Sequence, residues 1–99
     1  MAITVNIYYS GDGDNARKFA AEMISSGTVA RIKAEEGNLK YDYSFDAEDS
    51  NALILTELWK DHEAVAFHNG REHFKKLGEM KSEYVESVEI QRFEAEQII

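Results

Sequence analysis

Residues 53–74 constrain the fold most, because they join an apolar strand to a helix with almost no linker. Four of the first six residues, LILTEL, are Leu or Ile without strict alternation, a pattern typical of a strand that is covered on both faces. Asp61 precedes Ala64 and Val65 and can cap a helix by accepting a hydrogen bond from a first-turn N–H. We therefore predict a buried strand that passes directly into a helix ending at Gly70.

The same stretch holds the only tryptophan of the chain, Trp59, and all three histidines, His62, His68 and His73. The histidines are spaced by six and five residues, so no two share a helical face as the pair in an HExxH motif does. This spacing disfavours a metal site, which stays a minority interpretation. A lone tryptophan is usually a core residue, because indole buries a large apolar area. Any functional site is nevertheless expected in this stretch.

Alternating apolar and polar residues predict further strands. Residues 2–9 and 39–45 each place a β-branched, apolar or aromatic side chain at every second position, which is the period of a strand. Residues 85–93 indicate a last strand. Residues 47–51, AEDSN, have the length of a hairpin loop, so the strands on either side of it are expected to pair.

Helices are predicted between these strands. Apolar residues recur at spacings of three and four from 16 to 24 and from 74 to 84, as they do along one helical face. The second run predicts a helix over residues 71–84. A short helical piece is expected over residues 29–36, because Gly37 and Asn38 form a strong stop signal.

The main elements follow the order strand, helix, strand, strand, helix, strand. This is the order of the ferredoxin-like βαββαβ fold, an α+β class in which helices cover one face of an antiparallel sheet. A chain of 99 residues without internal repeats is expected to form a single domain over residues 1–99. The other sheet face would be bare and partly apolar, which usually marks an interface. We therefore expect a homodimer packed sheet to sheet.

Composition excludes several partners. The 19 acidic and 11 basic side chains give a net charge of −8, whereas nucleic acids and anionic membranes are bound by clustered lysine and arginine. No segment has the length and apolar character of a membrane span or a signal peptide. We expect a cytoplasmic protein that binds neither nucleic acid nor membrane. The absence of cysteine excludes disulfides and thiolate chemistry.

Four residues are candidates for catalysis: Asn6, Trp59, His68 and His73. Asn6 lies between two β-branched residues of the first predicted strand, and a buried amide must find hydrogen bonds. Asn6 therefore faces either solvent or a pocket with a polar ligand. His68 and His73 lie near apolar helix faces and are either structural or catalytic bases. The combination is better evidence than any one of these residues.

Three segments of the sequence are similar to those of a known protein family: EEGNLKYDYSFD at residues 35–46, TELWKDHEAVAFH at residues 56–68 and EHF at residues 72–74. They resemble the antibiotic biosynthesis monooxygenase domain family, over nearly the whole chain. The resemblance implies a dimeric ferredoxin-like α+β barrel. It also implies an enzyme that oxidises polycyclic phenols or quinols with dioxygen and uses neither metal nor flavin, so no cofactor is expected.

The resemblance implies roles for the candidate residues. An electron-rich phenolate can pass an electron to dioxygen itself, so the protein needs only to bind it away from water and remove its proton. Asn6 would orient a substrate oxygen, and His68 or His73 would be the base. Trp59 and other aromatic side chains would wall the pocket. The aromatic residues expected to bind substrate are Tyr41, Phe45, Phe67 and Phe74.

The resemblance leaves the reaction itself open. Haem-degrading members have an axial histidine where this chain has Gly78, so haem is not expected to bind. Isomerases of a phosphorylated quorum-sensing signal are similar through EEGNLKYD and AVAFH and are the leading alternative. The sequence alone does not single out a basic residue for their phosphate. A non-catalytic dimer that binds a small molecule is a third alternative.

Overall fold

The computed structural model describes residues 1–98. Within them it has four strands and four helices, in the order β1 (Ala2–Ser10), α1 (Asn15–Ser25), α2 (Thr28–Lys33), β2 (Asn38–Phe45), β3 (Ala52–Trp59), α3 (His62–Asn69), α4 (Glu72–Tyr84) and β4 (Ser87–Ala95). No helix of this part of the chain is long and apolar enough to cross a membrane.

The four strands form one antiparallel sheet in the order β2-β3-β1-β4. The predicted α+β ferredoxin-like fold is therefore confirmed. The expected hairpin between β2 and β3 is present, and the first and last strands pair along their whole length. The helix after β3 also begins as predicted, because the Oδ1 atom of Asp61 accepts a hydrogen bond from the backbone N–H of Ala64 at 2.8 Å.

The core lies between the helices and one face of the sheet. Every second residue of β3 is buried there: Leu53, Leu55, Glu57 and Trp59. The neighbouring strand β1 supplies Ile3, Val5 and Tyr9, and α1 packs Phe19 and Met23 against them. Buried and half-buried positions alternate along β3 because successive side chains of a strand point to opposite faces.

The prediction that β3 is covered on both faces is wrong for the single chain. Ile54, Thr56 and Leu58 are only half-buried, because they point to the face without helices, which we call the open face. The last strand β4 is exposed along almost its whole length. In α1, Ile24 belongs to the predicted apolar stripe but is exposed, and it lies one residue before the end of the helix.

The close packing of Gly37 against α3 gives a prediction about stability. A Cβ atom at Gly37 would overlap the Cβ of Ala64 and approach its Cα. The backbone of Gly37 is also fixed, because its carbonyl accepts a 2.8 Å hydrogen bond from Lys60 N–H. Gly37→Ala is expected to lower the free energy of unfolding by about 1–3 kcal/mol, the usual cost of overpacking, as measured by urea denaturation.

Gly78 provides the matched control for this prediction. It lies inside α4, and apart from the surrounding backbone of that helix no atom of residues 1–98 stands within 4 Å of a Cβ placed there. Gly78→Ala is expected to raise the free energy of unfolding by about 0.5–1 kcal/mol, because alanine has the better helix propensity. Equal stability of the two variants would show that α3 does not pack on Gly37 as described.

Candidate active site

A cavity of about 160 Å³ lies between the sheet and the last two helices. Its walls are mainly apolar and aromatic, with one carboxyl group, one imidazole, one amine and two phenols among them. The residues that line it are Ile7, Tyr9, Tyr41, Glu57, His68, Phe74, Leu77, Gly78, Lys81, Val88 and Ile90. Apolar walls with a few convergent polar groups are typical of small-molecule sites.

Glu57 is the unusual residue of the cavity, because it stands at a core-facing position of an apolar strand. It is 6% exposed, and its Oε1 atom accepts a 2.8 Å hydrogen bond from the indole N–H of Trp59. Burial is the main cause that raises the pKa of Glu57 to about 7; the Trp59 hydrogen bond opposes this shift, and the nearby Glu35 adds to it. Near neutral pH, Glu57 can therefore give or accept a proton.

Two buried tyrosines, Tyr9 and Tyr41, and the half-buried Tyr43 lie near Glu57. Burial raises the pKa values of Tyr9, Tyr41 and Tyr43 above the ordinary value for a phenol, and the nearby Glu57 adds to the shift. The rings of Tyr41 and Tyr43 meet edge to face with centroids 5.7 Å apart. These phenols stay protonated at neutral pH, and those of Tyr9 and Tyr41 border the cavity as potential hydrogen-bond donors.

His68 reaches the cavity from α3 and is held from both sides. Its Nδ1 atom lies 2.7 Å from Glu35 Oε2, and its ring packs 4.6 Å from that of Trp59. Burial lowers the pKa of His68, while the hydrogen bond to Glu35 opposes that shift. The imidazole is therefore neutral near pH 7, and with Nδ1 bonded to Glu35 it leaves Nε2 for a ligand in the cavity.

His73 bonds to the same carboxylate from α4. Its Nε2 atom lies 2.9 Å from Glu35 Oε2, so one buried oxygen contacts both imidazoles. His73 lines a separate open groove of about 690 Å³ on the outside of the helices, together with Arg71 and Lys75. His68 therefore faces the cavity, and His73 lies behind it. Glu35, His68 and His73 are also the group whose donor atoms could hold a metal ion.

The structure brings most, but not all, of the predicted catalytic residues together. Trp59, His68 and His73 are connected through ring contacts and Glu35. Asn6 is not among them. It pairs in register with Thr56 and therefore points to the open face of the sheet, because Ile7 occupies the neighbouring position that faces the cavity. Asn6 therefore does not line the cavity that His68 lines, and its role toward a substrate stays a prediction.

The predicted substrate-binding residues divide in the same way. Tyr41 and Phe74 line the cavity, and the Phe74 ring meets that of His68 edge to face at 5.2 Å. Phe45 lies at the hairpin end of β2, 3.9 Å below the guanidinium group of Arg17, and does not line the cavity. Phe67 is 58% exposed on the outer side of α3. Neither phenylalanine is placed to bind a ligand of this cavity.

Sequence reasoning missed the two carboxyl groups of the site. Glu57 had a visible signal, since it stands at a core-facing position between Leu55 and Trp59. A carboxyl group at such a position must be paired, neutral or functional. Glu35 had no comparable signal, because it follows the end of α2 and meets the histidines only after folding. Lys81 also escaped attention, because the helical pattern shows a face but not a cavity.

Comparisons with known proteins agree with this description. The sequence profile of the antibiotic biosynthesis monooxygenase family matches residues 2–79. YcnE, a monooxygenase candidate from Bacillus subtilis, is 32% identical over 73 residues, which cover 74% of this chain and 75% of YcnE. An isomerase of (4S)-4-hydroxy-5-phosphonooxypentane-2,3-dione from Escherichia coli is 44% identical over 41 residues, which cover 41% of this chain and 43% of the isomerase.

A solved structure supports the fold. SnoaB, a cofactor-independent oxygenase from Streptomyces nogalater, superposes with a TM-score of 0.80 at 17% sequence identity. The superposition covers 99% of this chain and 96% of SnoaB. At this identity the similarity concerns the fold alone.

Proposed function

The chain belongs to the antibiotic biosynthesis monooxygenase family, and from this premise we propose that it is a single-domain monooxygenase that oxidises a quinol or phenolic substrate with dioxygen, without a cofactor. The observation that carries the proposal is the hydrogen-bonded pair of Glu35 and His68 at the wall of an aromatic cavity. A carboxylate that holds one nitrogen of an imidazole leaves the other nitrogen as a base.

In the proposed reaction His68 Nε2 removes the proton of the phenol. The phenolate then transfers one electron to dioxygen, and the resulting substrate radical and superoxide combine to a peroxide. At a carbon that also carries hydrogen, the protonated peroxide loses water and leaves a carbonyl group. One oxygen atom thus enters the product and the other leaves as water, so the substrate supplies all electrons.

Glu57 and the tyrosines serve the later steps. With a pKa of about 7, Glu57 can give its proton to the peroxide and regain one from solvent in each cycle. Tyr9 and Tyr41 donate hydrogen bonds to the negative charge that develops on substrate oxygen. The cavity of about 160 Å³ holds one ring. A larger substrate extends over Val88 and Ile90, whose exposed side chains form the rim on β4.

Oxygen uptake by purified, metal-stripped protein tests the proposal. The protein is incubated with a panel of quinols and anthrone-like phenols while dissolved oxygen is followed. Uptake that persists with chelator and falls in Trp59→Phe, which removes the N–H that bonds to Glu57, supports the proposal. Asn6→Ala is the control, since Asn6 points away from the cavity. Absence of uptake with every substrate would reject the oxidative reaction.

An isomerase is the second candidate, and Lys81 is the observation in its favour. Lys81 lines the same cavity as His68 and Glu57, so its amine is a candidate to bind a phosphate group in a cavity that also holds a base and an acid. The 44% identity to the isomerase over 41 residues points the same way. Conversion of a phosphorylated hydroxyketone without oxygen uptake, lost in Lys81→Met, would select this candidate. If neither activity is found, a non-catalytic dimer that binds a small molecule is the remaining hypothesis.

We also propose a cytoplasmic homodimer joined through the open face. Tyr8 and Phe93 are exposed there, and no helix of residues 1–98 covers them. Sedimentation at micromolar concentration is expected to give the mass of a dimer, because a chain of this size gains much from added burial. Thr56→Arg, at the centre of this face, is expected to give a monomer. A wild-type monomer would contradict the proposal.

A further inference from the structure

We propose that Glu35, His68 and His73 form a binding site for one divalent transition-metal ion of the zinc class. Their donor atoms, one carboxylate oxygen and one nitrogen from each imidazole, all lie within 4.8 Å of one another. The three ligands come from the segment after α2, from α3 and from α4, so the site exists only in the folded chain. This inference goes beyond the proposed function and does not depend on it.

The three side chains are already close together in the folded chain, and they are buried. The side chains of Glu35, His68 and His73 are 4%, 5% and 8% exposed. The other oxygen of the carboxylate, Oε1, is also buried and has no hydrogen-bond partner among residues 1–98. A buried carboxylate oxygen without a partner carries a desolvation cost. An ion bound by both oxygens would remove that cost.

The donor set and spacing suit a borderline metal. Imidazole favours Zn²⁺, Co²⁺, Ni²⁺ or Fe²⁺ over Mg²⁺ and Ca²⁺, which take oxygen ligands. The nitrogens lie 2.7 and 2.9 Å from Glu35 Oε2. Ligands of a tetrahedral ion with bonds of about 2.1 Å lie about 3.4 Å apart. The two nitrogen–oxygen separations would therefore have to widen by about 0.5–0.7 Å, and the two nitrogens, which lie within 4.8 Å of each other, would have to reach the same spacing of about 3.4 Å. An imidazole that binds the ion through one nitrogen keeps an N–H on the other.

The spacing of histidines along the sequence did not reveal this site, and the structure explains why. The test for two ligands on one helical face assumes a single helix, but Gly70 and Arg71 separate α3 from α4. His68 is therefore near the end of one helix and His73 near the start of the next. Their rings come within 6.0 Å of each other, and Glu35 completes the set from a distant part of the chain.

Metal binding has a consequence for His68. An ion on Nδ1 places the remaining ring proton on Nε2, the nitrogen that faces the cavity, so the imidazole becomes a hydrogen-bond donor there instead of a base. If His68 is the base of the proposed reaction, Zn²⁺ inhibits turnover. This consequence rests on the proposed function, whereas binding of the ion does not.

Trp59 is a natural reporter for the experiment. It is the only tryptophan of the chain, and its ring lies 4.6 Å from that of His68. Titration of the chelator-treated protein with Co²⁺ is expected to quench tryptophan fluorescence in a saturable way with one ion per chain. Glu35→Gln and His73→Gln, with folding checked by circular dichroism, are each expected to weaken Co²⁺ binding at least about tenfold. His62→Ala removes an exposed histidine as control and should bind like wild type.

A measurement on the wild-type protein complements these variants. Histidine ring nitrogen spectra with Zn²⁺ should show shifts of His68 and His73 and none of His62. Quenching that does not saturate below about 1 mM, or that survives unchanged in both ligand variants, would overturn the proposal. So would ring shifts confined to His62. Inhibition of turnover by Zn²⁺ is measured in a separate assay, so the absence of oxidation activity would not affect the test of metal binding.

Discussion

His68→Gln is expected to lower kcat at least about 100-fold with little change in KM, because a general base contributes roughly 100- to 10,000-fold to the rate. Glutamine can keep a hydrogen bond to Glu35 and fill most of the space of the imidazole, but it cannot accept the phenolic proton. Binding of the substrate depends mainly on the aromatic walls, which the substitution leaves in place. The loss should therefore appear in the chemical step.

Two other histidines provide the comparison. His73→Gln removes a contact to Glu35 from outside the cavity, so we expect a loss of only about tenfold, as is typical of residues that orient a functional group. His62→Gln changes an exposed side chain that contacts Arg92 and Glu94 and should leave kcat unchanged. The measurement is initial-rate kinetics with the best substrate of the quinol panel. Wild-type kcat in folded His68→Gln would remove His68 from the mechanism.

The fold followed from the sequence because its signals are local. Period-two alternation in β1 and β2, the cap at Asp61 and the hairpin loop each depend on neighbouring residues. The β3 prediction failed in part because the apolar sequence pattern of a strand is the same whether its second face is covered by the same chain or by a partner. No pattern within one chain distinguishes these two cases.

The site was harder to predict, because its residues meet only through the tertiary fold. Alternation along a strand puts Asn6 and Ile7 on opposite faces of the sheet, so only one of them can face the helices. The same argument would have selected Glu57. Strand alternation does not identify Glu35, because Glu35 lies in a loop and contacts residues 33 and 38 positions further along the chain. Loop ends have no periodicity from which such a contact can be inferred.

Glu57→Gln is expected to make the protein more stable at alkaline pH and less active. Burial raises the pKa of Glu57 from its ordinary value of 4.5 to about 7 in the folded protein. Between these two values the folded chain holds a proton that the unfolded chain has lost, so the stability of wild type falls as pH rises through this window. The loss amounts to about 3 kcal/mol, at about 1.36 kcal/mol per pKa unit. Glutamine stays neutral at every pH, so the Glu57→Gln variant does not lose this stability.

Urea unfolding at pH 4.5 and pH 8, at one protein concentration, measures this difference. At pH 4.5 the two proteins should differ little, because Glu57 is protonated in the folded state and the glutamine amide oxygen can still accept the Trp59 hydrogen bond. At pH 8 the variant should gain about 3 kcal/mol over wild type, while Glu79→Gln, an exposed change in α4, should show no such gain. Turnover of Glu57→Gln should fall at both pH values, because an amide cannot deliver a proton to the peroxide. A variant that is equally stable relative to wild type at both pH values would mean that Glu57 ionises freely in the folded protein, and its role as the proton donor would then be lost.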